Sequence, residues 1–276
     1  ANTLPPVFGL QTPRNFDEVD AIGKSVFDRD GWHYFRIQLL GTDGLLYNYA
    51  TDINVVGLLD PDTASWVSFR NIDWAGAGIP DVLNGQFIGG AAVPGTNKHL
   101  LIGARWNGFM LYDYIADTIE TISYDSNPQI RGSIGVVYSK ATQKFYNVPW
   151  ATGQRLDSNS RQPANIYEID PVALTATTVF VNVPNPAQPT VGRTFSCAVE
   201  GPDGKIYFFY NYVQSDVNAP WISQFDPVTY TMVDIACPIP YSEMWSGFPY
   251  LTFGTPLYAP ESNAIYVPPF NTNDFL

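Results

Sequence analysis

The stretch Gly201-Pro202-Asp203-Gly204-Lys205-Ile206-Tyr207, followed after a loop by Phe225-Asp226-Pro227-Val228-Thr229, decides how this chain is read. Its first half is a turn feeding a short strand that ends in Tyr207. Gly reaches the left-handed angles a tight turn needs, and a neighbouring Asp side chain accepts backbone N–H bonds. Its second half is a strand that ends at an Asp and opens another turn. The carboxylate takes the N–H groups ahead of it while Pro presets its own φ. The segment is therefore expected to form two consecutive β-hairpins.

Working outward, the first half recurs. It is found as Gly41-Thr42-Asp43-Gly44-Leu45-Leu46-Tyr47, as Pro94-Gly95-Thr96-Asn97-Lys98-His99-Leu100-Leu101, as Ser139 through Tyr146 and as Ala259 through Tyr266, five copies in all. The second half recurs at Asp60, Asp113, Asp170 and Asp226, spaced 53, 57 and 56 residues apart. One residue type returning once per period at a turn is expected to shape the turn rather than to catalyse. Each period reads as four strands: an apolar inner strand such as 134–137, the strand ending in Tyr, the Asp-terminated strand, and an amphipathic outer strand such as 175–180. Four antiparallel strands in a period of roughly 40 to 60 residues are a propeller blade. Helical periodicity is nearly absent, and the 23 prolines would interrupt most candidate helices.

The fifth copy stops after its second strand. At the other end of the chain, residues 6–22 have the look of two outer strands around a turn at Gln11-Thr12-Pro13-Arg14-Asn15. The expectation is one all-β domain over 1–276, a five-bladed propeller in which 6–22 complete the blade begun at 251–276. Such closure removes open sheet edges.

These units resemble a broad family of repeat propellers whose blades read roughly Asn-Gly-Lys-Ile-Tyr, a small loop, then Ile-Asp-Pro-x-Thr. Similar repeats occur in bacterial surface proteins, quinoprotein-like propellers and proteins of phage particles. The resemblance spans essentially the whole chain. It implies the fold and transfers no catalytic residue, because propellers host lectins, scaffolds and hydrolases alike.

Composition narrows the partners. The formal net charge is −12 and the 14 Lys and Arg form no cluster, so nucleic acid is not an expected partner. No run reaches the ~18 apolar residues of a membrane helix, so no membrane insertion is expected. The first residues lack a signal-peptide pattern, and Ala1 fits a chain trimmed of its initiator Met as well as one cut from a longer precursor. Cys197 and Cys237 are 40 residues apart without a CxxC pattern, which reads as two buried thiols or a disulfide and not as a zinc site. No metal or cofactor is expected.

In a propeller, the loops joining second to third strands and those joining one blade to the next open on one face. Here they carry Asn48 and Tyr49; Arg105, Trp106 and Asn107; Trp150; Tyr210, Asn211 and Tyr212; Trp245; and Phe270 with Asn271. Trp32, Trp74, Arg131, Arg193, Glu243 and Met244 lie in the connections between blades. Aromatics beside Asn and Arg suit sugar stacking and protein contacts equally. The same residues would also serve as packing between blades, so only the cluster has weight as a partner-binding face.

An enzyme is the weaker reading. His33 and His99 sit in different repeats, without a nucleophile elbow, metalloprotease pair or phosphate loop, and are expected to be structural. A glycosidase would need two of Asp73, Asp125, Glu200 and Glu243 to converge. The expectation is a non-catalytic structural or adhesive module of a virion: a phage capsid-decoration, tail or receptor-binding protein. Its partners would be other virion proteins, or a host-surface glycan or protein. The alternatives are a bacterial lectin-like propeller, extracellular or at the cell surface, and a five-bladed glycoside hydrolase or lyase.

Overall fold

The computed structural model describes residues 35–50, 55–73, 87–103, 108–123, 133–149, 165–181, 184–185, 188–192, 195–210, 222–235 and 256–267. Among them all regular structure is β-strand. The first sheet comprises β1 (Phe35–Leu40), β2 (Leu46–Ala50), β3 (Val55–Asp60) and β4 (Ser65–Asn71). The second has β5 (Phe87–Ala92), β6 (Lys98–Gly103), β7 (Gly108–Asp113) and β8 (Thr118–Ser123). The third has β9 (Ser133–Ser139), β10 (Lys144–Pro149), β11 (Ile166–Asp170) and β12 (Thr175–Phe180). After a two-stranded hairpin, β13 (Pro184–Asn185) with β14 (Gln188–Gly192), the fourth sheet follows as β15 (Phe195–Glu200), β16 (Ile206–Tyr210), β17 (Ile222–Asp226) and β18 (Thr231–Ile235). Finally β19 (Leu257–Ala259) pairs with β20 (Ala264–Tyr266).

Within each four-stranded sheet the order is sequential and every described pairing is antiparallel. The first strands neighbour one another in chain order, β1 with β5, β5 with β9, β9 with β15, and β15 with β19. Sheets related in this way are the radial layout of a propeller. Four sheets have the four strands the repeat requires, and the fifth copy contributes β19 and β20. Residues 6–22 and 268–276, which the repeat assigns to that last blade, lie outside the described residues.

The hairpin turns are uniform, for a backbone reason. The turns between first and second strands each carry one residue at positive φ: Gly44, Gly95, Gln143, Gly204 and Asn263. Those between third and fourth strands have it four residues after the Asp, at Ala64, Asp117, Leu174 and Tyr230. In those same turns the Asp carboxylate accepts the N–H groups two and three residues ahead. At Asp226 the distances are 2.9 Å from Val228 and 3.1 Å from Thr229, and Asp60, Asp113 and Asp170 repeat the pattern. The Thr63 hydroxyl together with the backbone bonds holds Asp60, and the backbone bonds hold Asp226, below the ordinary carboxylate range by favouring the ionised form.

Burial follows position along the blade. Third strands β3 and β7 are buried over five consecutive residues. Outer β4 and β18 carry only exposed and half-buried residues, as rim strands should. The inner strand expected at 134–137 lies within β9, with Val137 buried, but the first strands are not buried throughout. Along β1 both Gln38 and Leu40 are exposed, and along β9 Gly135, Val136 and Tyr138 are only half-buried. Their composition is set by close approach instead. A Cβ at Gly90 would lie 2.9 Å from the Leu100 carbonyl oxygen of the adjacent β6 and 3.3 Å from Ile37 of β1, so a side chain there would have to displace the β6 backbone.

The core lies between sheets. Tyr47, Val56, Leu101, Met110 and Tyr112 join the first sheet to the second. Leu111, Phe145, Tyr167 and Ile169 join the second to the third, and Tyr146, Phe208 and Phe225 the third to the fourth. Cys197 is buried on β15, while Cys237 lies outside the described residues.

Candidate functional site

Each sheet presents two ends. At one, the first and second strands are joined and the third and fourth are joined, and this hairpin end is fully described in the first four sheets. At the other, strands lead into the connections expected to form the binding face. Of the residues expected there, Arg105, Trp106, Asn107, Trp150, Asn211, Tyr212, Trp245, Phe270 and Asn271 lie outside the described residues, as do Trp32, Trp74, Arg131, Arg193, Glu243, Met244 and His33. Tyr210 is the final residue of β16 and so stands at that end.

Asn48 and Tyr49 belong to the scaffold beneath the loops and not to an exposed surface. Asn48 is buried, its amide donating to the carbonyls of Leu46 at 3.0 Å and Gly57 at 3.3 Å. Tyr49 is 1% exposed, and its hydroxyl meets His99 Nδ1 at 2.7 Å. The third sheet uses its corresponding residue more fully. Asn147 donates to Ser133 Oγ and to the Asn165 carbonyl, and accepts the Tyr167 N–H at 2.6 Å. One buried amide thus pins the ends of three strands at the base of the 150–164 connection. Sequence reading missed Asn147. The signal was available, since Asn48 and Asn147 each follow the repeated Tyr.

At the hairpin end, polar side chains are tied to structure. Asp43 accepts the Leu45 N–H and the Tyr47 hydroxyl, and Asp203 accepts the Lys205 N–H and the Tyr207 hydroxyl. The tyrosines also reach forward to the next sheet. Tyr47 stacks on Tyr114 with ring centroids 4.5 Å apart, and Tyr146 donates to Glu168 at 2.7 Å while lying 3.3 Å from the Pro227 carbonyl. Tyr114 and Pro227 are each the residue after a repeated Asp. Tyr230 donates to the same Glu168 oxygen at 2.9 Å, which makes that carboxylate a bridge between the third and fourth sheets. Burial and the adjacent carboxylates push the hydroxyls of Tyr47 and Tyr146 far above the ordinary phenol range, so both remain donors. Lys144 pairs with Asp170, and Lys98 with Glu120 at 2.7 Å.

The carboxylates considered for glycoside hydrolysis are not brought together where they are described. Glu200 ends β15 at the hairpin end and accepts the Lys140 N–H at 2.6 Å. Asp73 follows β4 at the opposite end of another sheet. Asp125 and Glu243 lie outside the described residues. Among the described residues no group of three or more His, Cys, Asp and Glu is placed to hold a metal ion. Exposed apolar side chains occupy the second position after three of the repeated Asp residues, Ile115, Val172 and Val228, at the tips of the outer hairpins.

No family model matches the chain, and no curated protein is matched. Solved structures do resemble it. The hydrazine synthase of Kuenenia stuttgartiensis superposes with a TM-score of 0.54 at 13% identity over 83% of this chain and 54% of that one. The extracellular domain of BT4673 from B. thetaiotaomicron gives 0.53 at 12% identity, over 84% of this chain and 25% of that one. Virginiamycin B lyase from Staphylococcus aureus gives 0.51 at 12% identity, over 86% and 70%. The chain therefore spans about half of the first of these structures and a quarter of the second. At such identities the likeness is one of fold, a propeller-like all-β architecture.

Proposed function

We propose that this chain is a five-bladed propeller, its last blade closed by strands from residues 6–22, that works as a non-catalytic binding module of a virus-like particle, as a capsid-decoration, tail or receptor-binding protein. The observation that carries the reading is the contrast between the two ends of the sheets. At the hairpin end the repeated Asp carboxylates are occupied by their own turns, Glu200 by the Lys140 backbone and Glu168 by two tyrosines. His99 is enclosed between sheets and cannot reach a substrate. The opposite end feeds connections rich in Trp, Tyr, Asn and Arg, the residue types that dominate recognition hot spots. Loops of that composition on a rigid frame are suited to contact and hold another surface. The partners proposed are other particle proteins or a host-surface glycan or protein.

Fractionating the source culture by density gradient tests the setting directly. The protein should co-sediment with particles at a fixed ratio to their main structural protein. Recovery only from cells or clarified medium would remove the particle from the account.

A further inference from the structure

The pairing register of the four complete sheets sets up a comparison the sequence alone does not offer. Opposite the residue that precedes each repeated Asp, the second strand places Leu46 against Leu59, Phe145 against Ile169 and Ile206 against Phe225. In the second sheet this position is His99, opposite Tyr112. Three sheets thus use an apolar side chain where the second uses a titratable one.

His99 is completely buried at the joint between the first and second sheets. Its ring lies 5.3 Å from that of Tyr47, 5.8 Å from Tyr49 and 4.5 Å from Tyr114. Nδ1 meets the Tyr49 hydroxyl, while Nε2 has no partner in hydrogen-bonding geometry. The ionisable groups around it do not form a counter-charge. From β2 it faces Tyr47 and Tyr49, and from β7 and the turn after it, Tyr112 and Tyr114. Arg70 of β4 donates to the Tyr114 carbonyl at 2.8 Å and brings positive charge to the joint. Asp43 favours protonation only at a distance, and its carboxylate is engaged by Tyr47 and Leu45; Asp117 is engaged by Tyr112. A protonated ring would present two donors here. Tyr49 would have to turn from donor to acceptor, and the Nε2 proton would gain no acceptor beyond a weaker pull from the Leu40 backbone.

We propose that His99 makes the joint between the first and second sheets an acid-labile hinge, which opens on protonation and frees the two sheets from their fixed relative placement. This device is independent of what the loop face binds. Burial pushes the His99 pKa down from 6.5 to about 4. The sign follows from that depression. The joint's stability is complete above pH 6.5, where folded and unfolded chains both hold neutral His. It falls as pH drops towards 4, where only the unfolded chain takes up the proton.

The test compares the wild type with His99→Leu combined with Tyr49→Phe, which installs the residue type of the first sheet and leaves no hydroxyl orphaned, in a His33→Gln background for both. Between pH 6.5 and 4 the folding constant of the protein with His99 should fall about tenfold per pH unit, and that of the double variant should not. Asp60, Asp170 and Asp226 are held below the ordinary Asp range, and the stability they contribute, lost from about pH 5 downward, is common to both proteins and cancels in the comparison. An equal fall in both proteins would overturn the proposal. Should the double variant fail to fold at pH 7, the imidazole titration of His99 and amide exchange decide instead. A midpoint near 4 with new exchange confined to residues 35–123 supports the hinge, and a midpoint near 6.5, or exchange beginning elsewhere, overturns it.

Discussion

Replacing Phe225 with Ala should lower the free energy of unfolding by about 3–5 kcal/mol, the usual cost of emptying an aromatic site in a packed interior. Phe225 is fully buried on β17, yet two of the three aromatic rings described around it belong to another sheet. Its centroid lies 5.6 Å from Tyr146 and 6.1 Å from Phe180, both of the third sheet, and 6.2 Å from Phe208 of its own. The cavity would open between two sheets, where neither can collapse without moving four strands. Urea denaturation of the variant should show the midpoint shift with little change in slope. A loss below about 1 kcal/mol would mean the sheets are not held by this contact.

The second large effect concerns the sheet of β19 and β20. In the other four sheets the second strand is paired on both sides, whereas among the described residues β20 pairs only with β19. Its Tyr266 is 56% exposed, while the corresponding Tyr47 and Tyr146 are wholly buried against the sheet that follows. The first sheet shows the matching gap: Pro61, the counterpart of the buried Pro227, is exposed. Deleting residues 1–22 should therefore leave an edge and an inter-sheet face without cover, and the truncated chain should aggregate. A truncated protein that stays monomeric and melts like its parent would rule out blade closure by these strands.

What could be read from sequence and what could not divides by range. The hairpins were legible because their chemistry is local: Asp226 bonds residues two and three ahead, and Gly204 needs only its own φ. The outer strand at 175–180 was legible from its alternation. The inner strand at 134–137 was legible from its apolar run, but how deeply each first strand is buried depends on neighbours about fifty residues away, as with Gly90 against Ile37. The hairpin of β13 and β14 was hidden by Pro184 and Pro189, which read as breakers but are tolerated in a two-stranded ribbon. Asn48 and Tyr49 had the composition of a recognition site, but a strand end does not reveal which side chains turn inward. The contacts of Tyr47, Tyr146 and Glu168 join residues of successive sheets, so only their repetition was visible.

The central claim, that one end of the propeller is a recognition surface, is tested most directly on Trp106→Ala, Trp150→Ala, Tyr212→Ala and Phe270→Ala. Each is measured for thermal melting and for binding to purified particles stripped of this protein. Exposed recognition residues contribute contact energy and little fold energy, so binding should weaken by ~1–3 kcal/mol per variant while melting stays near the parent. If all four are instead destabilised by about 3–5 kcal/mol, the aromatics are core. That result would contradict the assignment of this face and move the attachment surface to the hairpin end.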